Sequence, residues 1–247
     1  MTPHLLLVVP VLLALVLYNT AFKNGKPICD NYILNVYIYA VFYLSLLGYF
    51  ITLLMKMNVK WTRLSLGMYI LLLIINIGAY LGILFVSKNQ VLLKHLLSLL
   101  YILSGSVFLV ILFAFFFPES IILSIGLTIL LFTILTLFVW KYQDLISSRI
   151  SIPLVVVFII LAIAEFVIQI MFPGSMLEKA IILIMLMVIC YFLLVKTKRM
   201  IENEKTCVKD EGPDYVRESI GLVLTIENIL ARILSLFGRK RRRINNL

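Results

Sequence analysis

Long apolar runs separated by short polar breaks occupy almost the whole chain, at residues 4–22, 32–55, 66–86, 96–117, 120–140, 152–172 and 180–195, with a last, only half-apolar run at 214–238. Most of them approach the ~20 residues that a helix needs to cross a bilayer, so the pattern predicts a succession of membrane helices. Pro118 and Glu119 alone separate two of the runs, which makes those helices antiparallel neighbours. Of the 247 residues, 63% are hydrophobic and 14% charged, and mean hydropathy is +1.11. Soluble domains hold about 45–50% apolar residues, so a soluble globular fold is excluded. Little chain is left for a folded domain outside the membrane. The expectation is an all-α, polytopic transmembrane helical bundle forming one domain.

Charge changes the picture at three places. The net charge of +10 would suit nucleic acid, but the basic residues gather at helix ends and in the tail Arg239-Lys240-Arg241-Arg242-Arg243. That is the distribution of membrane anchoring, so lipid is the expected partner and nucleic acid is not. The last run carries Arg217, Glu218, Glu227 and Arg232. Ionisable groups are costly in a bilayer, so this helix is read as shielded by the others, or as dipping in and returning. Glu165 is the carboxylate set deep in a strongly apolar run, with Gln169 one turn on. It is either part of an ion pathway or glue paired with a basic residue, and sequence treats the two alike.

If the first run spans, the loops at 23–30, 87–95, 141–151 and 196–213 share one face and hold most of the loop lysines and arginines. By the positive-inside rule that face is cytoplasmic, and a returning last helix would bring the basic tail to it. The first run contains Pro10 and lacks basic residues ahead of it and a small-x-small cleavage site, so it reads as a retained helix. Tyr32, Tyr37, Tyr39 and Tyr49 suit interfacial belts at the two ends of the second run. Lys56, Lys60, Trp61 and Arg63 form a basic loop, and Asn76, Gly78 and Gly82 give the third run a small face for close packing.

Chemistry of the hydrolytic or nucleotide-binding kind is not signalled. The chain has no HExxH, GxSxG, P-loop or GxGxxG, and His4 and His95 have no nearby cysteine. No enzyme, cofactor or metal site is expected. Cys29, Cys190 and Cys207 show no CxxC spacing and are odd in number, so three free thiols are expected.

Two stretches carry a family resemblance. At the C-terminal end, Lys196-Thr197-Lys198 closes an apolar run, Asp214-Tyr215 opens the last one, and Leu222 to Gly238 follows without a gap. Earlier, PESIILSIGLTILLFTILTLFVWKYQDL places Gly126, Thr128 and Asp144 after a short acidic turn. This resembles the Bax-inhibitor-like (TMBIM) membrane proteins, over about residues 31–238. The resemblance implies seven family-type helices, here preceded by an extra N-terminal apolar helix and basic loop at 1–30, with a basic tail at 239–247. In the family, two aspartates on the last two helices share a proton and latch a cation pathway, chiefly for calcium. Here Lys196 holds the first place and Thr225 the second. Lys196 would repel a cation, and Thr225 cannot titrate near neutrality. Glu227, two residues from Thr225, lies on another helix face.

Glu165, Lys196, Thr225 and Glu227 are therefore the candidates for an ion pathway or latch, with Lys196 expected to find its acidic partner in Glu227 or Glu165. Thr128 is read as a hydroxyl bonded back to its own helix. The resemblance implies a modulator of apoptosis and intracellular calcium in the endoplasmic reticulum or Golgi membrane, with calcium or other cations as the passing species. Its drift is of the kind seen in viral homologues. The alternative is a non-conducting protein that binds and misdirects host membrane proteins.

Overall fold

A computed structural model describes residues 3–23, 26–57, 65–147, 152–172, 174–207 and 212–239. The basic tail beyond Arg239, the loop bearing Lys60, Trp61 and Arg63, and the side chains of His4 and Gln169 lie outside the described residues. The described residues form α1 (Pro3–Thr20), a two-strand hairpin of β1 (Phe22–Lys23) and β2 (Lys26–Pro27), α2 (Tyr32–Lys56), α3 (Leu66–Phe85), α4 (Val91–Phe113), α5 (Pro118–Lys141), a 3₁₀ turn (Gln143–Leu145), α6 (Ile152–Met171), α7 (Met176–Lys205) and α8 (Tyr215–Phe237). The all-α reading of a multi-pass membrane protein holds, and α2, α4, α5, α7, α8 and most of α3 are long and apolar enough to cross a bilayer.

Three boundaries differ from the apolar pattern. α4 begins at Val91, so Lys94 and His95 lie within its first turns rather than in a loop. α7 starts at Met176, where Ser175 accepts the Glu178 amide at 3.1 Å and the Glu178 carboxylate accepts the Gly174 amide. This reciprocal cap draws charged residues into the first turn. At its other end α7 runs on through Lys205, ten residues past its apolar run, with Met200 and Ile201 buried. Finally, α8 is an unbroken helix of 23 residues, about 34 Å long. The dip-and-return reading is corrected. Arg217 and Glu218 sit in its first turns and Arg232 finds an internal partner, so its charges do not force it to turn back.

The chain divides into two compact units, Met1–Ala114 with Glu204–Val223, and Phe115–Asn203 with Leu224–Leu247. In the first, α1 packs on α2, α2 on α4, and α3 on α4. Asn35 of α2 is fully buried, receives the Thr20 hydroxyl on Oδ1 at 2.9 Å, and donates to the carbonyls of Thr20 and Asp30 at 3.1 and 3.0 Å. The small face of α3 packs closely at Asn76 and Gly82 but not at Gly78, where a Cβ would meet nothing within 4 Å. A Cβ on Gly82 would come within 2.9 Å of Leu97, and the Asn76 amide donates to Ser104 at 2.9 Å and to the Tyr101 carbonyl at 3.2 Å.

In the second unit, Phe158 of α6 meets Phe192 of α7 with ring centroids 5.3 Å apart. The end of α8 closes on the turn before α5: Phe117 donates to the Arg239 carbonyl at 3.2 Å, and Arg239 donates to the Ser120 hydroxyl at 3.0 Å. A Cβ on Gly238 would sit 2.6 Å from Phe116, which accounts for a glycine at that position.

The distribution of polarity is that of a protein dissolved in lipid. Ile74, Ile129, Leu137, Ile160 and Phe166 face outward, whereas Ser98, Ser106, Thr128 and Ser219 are buried. Each of these hydroxyls is satisfied by the carbonyl four residues back, at 2.7 Å, the role expected of Thr128.

Candidate functional site

The start of α8 is built around Asp214. One carboxylate oxygen accepts the Arg217 amide at 3.2 Å, capping the helix, and the other pairs with the Lys94 ammonium of α4. Lys94 is 2% exposed and the Asp214 side chain 22%, so the cation is the more deeply buried partner. Its burial follows from the register of α4, in which Lys94, Ser98, Tyr101 and Ile102 share the inward face.

Tyr215, next in sequence, organises the aromatic wall beside this pair. Its ring stacks on Tyr39 and on Tyr32, each at 5.8 Å between centroids, and its hydroxyl donates to the Ile28 carbonyl while lying 3.3 Å from the Asn35 amide nitrogen. Tyr32, Tyr39 and Tyr43 are nearly inaccessible. The interfacial-belt reading is therefore corrected for Tyr32 and Tyr39: both rings are buried in a stack with Tyr215, and the Tyr39 hydroxyl faces His95 inside the unit. His95 Nδ1 lies 2.8 Å from the Val91 carbonyl and so carries the proton there, leaving Nε2 to face the Tyr39 hydroxyl at 3.4 Å. A small cavity opens between these groups, lined among others by Phe22, Pro27, Lys88, Lys94, His95 and Asp214.

The same unit holds a covalent tie. Cys29, just before α2, and Cys207, just after α7, form a disulfide, while Cys190 is a free thiol. The expectation of three free thiols is corrected. A pairing across 178 residues leaves no mark in local spacing.

Among the candidates drawn from the sequence, Glu165 on α6 is 5% exposed and forms an ion pair with Arg232 of α8. The pair joins α6 to α8 within the second unit. Arg232 lies seven residues, two turns, beyond Thr225, and so on the same side of α8. Thr225 and Glu227 are half-buried on α8, and Lys196 is half-buried within α7 rather than at a helix end. Lys94, Asp214 as an ionic partner, and the cystine were missed. The signal for Lys94 was Val91-Leu92-Leu93, apolar residues that carry the helical pattern back across Lys94 and His95.

Among the described residues, one ionic bond at the start of α8 and another in its second half tie it to neighbouring helices, each within its own unit. Neither is a pair of carboxylates, so neither offers the shared proton of a coupled acidic pair.

A family model described as Inhibitor of apoptosis-promoting Bax1 matches residues 29–242. The matched span takes in α2 to α8 and leaves α1 outside it. No curated protein and no solved structure matches the chain.

Proposed function

The chain belongs to the Bax inhibitor family, and from that membership we propose that it modulates apoptosis and intracellular calcium as a cation leak in the endoplasmic reticulum or Golgi membrane, without enzymatic activity. The observation that carries the reading is that Asp214 and Tyr215, the pair through which the resemblance runs, are the residues that pin the start of α8 to α4 and to the segment before α2. A helix held by ionic and hydrogen bonds at its entrance can be released as a unit, which is what a gate requires.

Calcium flux into liposomes carrying the purified chain, recorded against pH, tests this. A flux that changes little between acidic and neutral pH is expected, because Lys196 and Thr225 occupy the places of two interacting carboxylates. One observation favours the rival reading, a non-conducting protein that binds and misdirects host membrane proteins: Asp214 and Glu165 are both neutralised by cations on neighbouring helices. Absence of flux at every pH would remove the leak and leave the rival.

The cystine bears on orientation. Disulfides persist in oxidising compartments, so the Cys29–Cys207 end is assigned to the lumen, against the cytoplasmic assignment that the loop lysines suggest. α8 starts beside that end, and a crossing α8 carries Arg239 and the basic residues after it to the cytosol, where the positive-inside rule puts them. In sealed microsomes, a tag after residue 247 is then expected to be digested by added protease and a tag at 208–211 protected. Digestion of the internal tag would overturn the assignment.

A further inference from the structure

We infer that the Cys29–Cys207 cystine is a redox-operated clasp, which in its oxidised form holds the start of α8 closed over the buried Lys94–Asp214 pair. Residues 27–29 meet residues 207, 212 and 215 along one seam, tied among the described residues by a small set of contacts. Tyr215 donates to the Ile28 carbonyl, and Asn35 reaches the same hydroxyl at 3.3 Å. Gly212 lies against Pro27 so closely that a Cβ would sit 2.9 Å from the proline ring and 3.0 Å from its carbonyl oxygen, and its φ of +64° is one that glycine adopts without strain. Lys88 reaches the Gly212 carbonyl from the far side at 3.4 Å. The disulfide is the covalent member of this set, and it joins segments that are remote in sequence, where a cross-link restricts the chain most.

What lies beneath the seam is what would respond. Lys94 is 2% exposed and paired, and Asp214 belongs to the segment that the clasp retains. A strong ionic bond there depends on water being kept out, since the attraction between two charges falls steeply as the surroundings become aqueous. Both cysteines are half-buried, and each is flanked by an exposed residue, Asp30 and Thr206 respectively, so a reductant can approach.

The chemistry is thiol–disulfide exchange with a dithiol. One thiolate of the reductant attacks a sulfur of the cystine, a mixed disulfide forms, and the second thiol of the reductant displaces it. The chain gains two electrons and two protons as two thiols, and the reductant leaves as its own disulfide. With the clasp open, residues 212–214 and the first turn of α8 can part from the hairpin and α2, and water reaches Lys94. The clasp deepens the proposed leak by naming its regulation, and rests on that reading only for the consequence in flux.

The test is hydrogen–deuterium exchange, read by mass spectrometry, on the full chain in lipid nanodiscs with and without dithiothreitol. Amides in 27–36 and 212–220 are expected to exchange at least tenfold faster after reduction, while those of α5 stay unchanged. The Cys29→Ser/Cys207→Ser variant should show the fast pattern without reductant, and Cys190→Ser the parent's pattern. Exchange unaltered by reduction, or peptide mapping that finds residues 29 and 207 as separate thiols in unreduced protein, overturns the clasp. Calcium flux measured on the same samples separates the two ideas. Opening by exchange with no flux in either redox state leaves the clasp standing and removes the leak; equal flux in both states with unaltered exchange does the reverse.

Discussion

Arg232→Met is expected to destabilise the second unit by about 3–5 kcal/mol, the cost of leaving a buried charge without its partner. Glu165 is 5% exposed and lies on a helix whose other side chains are almost all apolar, so it has no ready route to water once the guanidinium is gone. Glu165→Gln should cost a similar amount from the other side, because Arg232 is itself largely buried, at 18% side-chain exposure. Removing both charges together, as Glu165→Leu with Arg232→Met, should cost much less than the sum, since two apolar side chains then meet where two ions were desolvated. The measurement is equilibrium unfolding in mixed detergent micelles, taken as a double-mutant cycle. Additive single effects would show that the two side chains do not stabilise one another, and the polar residues of α8 would then need another role.

The same pair shows where sequence reasoning reaches and where it stops. An acidic residue inside a strongly apolar run stands out because the bilayer makes it expensive, so Glu165 is legible from composition alone. Its partner is not. Arg232 is one of several ionisable residues in the last helix, and choosing among them requires knowing which faces of α6 and α8 meet, which is a tertiary fact. The membrane helices were legible for the same reason as Glu165, since a bilayer-length apolar run has few other uses. Their ends were less so. α7 continues through Lys196, Lys198 and Lys205 because Met200 and Ile201 still have a buried face to fill, with Lys198 and Glu202 lying 3.6 Å apart on the outer one. The tyrosines of α2 mislead in the opposite direction. An amphipathic ring suits an interface and a hydrogen-bonded interior equally well, and only the stacking on Tyr215 decides between them. The tie between Cys29 and Cys207 lies beyond any local pattern, because pairing depends on where remote segments return.

The two members of the Lys94–Asp214 pair should respond unequally to substitution, and the order is a sharper expectation than either magnitude. Asp214→Asn keeps the side-chain oxygen that caps the Arg217 amide, and asparagine caps about as well as aspartate. It removes only the charge. What it leaves is an ammonium at 2% exposure among Ser98, Tyr101 and other inward groups of α4, and a loss of about 3–5 kcal/mol is expected. Lys94→Met leaves the carboxylate instead. Asp214 is 22% exposed, still accepts the Arg217 amide, and stands at the positive end of the α8 dipole, so solvent and helix together compensate it. A loss nearer 1–2 kcal/mol is expected, within the range for a partly screened charge that keeps other hydrogen bonds. Combining the two should recover most of the cost of Asp214→Asn, because methionine removes the stranded ammonium and fills its volume. Unfolding of the oxidised protein in mixed micelles, with the cystine intact in every variant, gives all three values. A larger loss for Lys94→Met than for Asp214→Asn would mean that the carboxylate, not the ammonium, is the group that cannot reach water, and α8 would then be held at its start by its cap and by Tyr215 rather than by the ion pair.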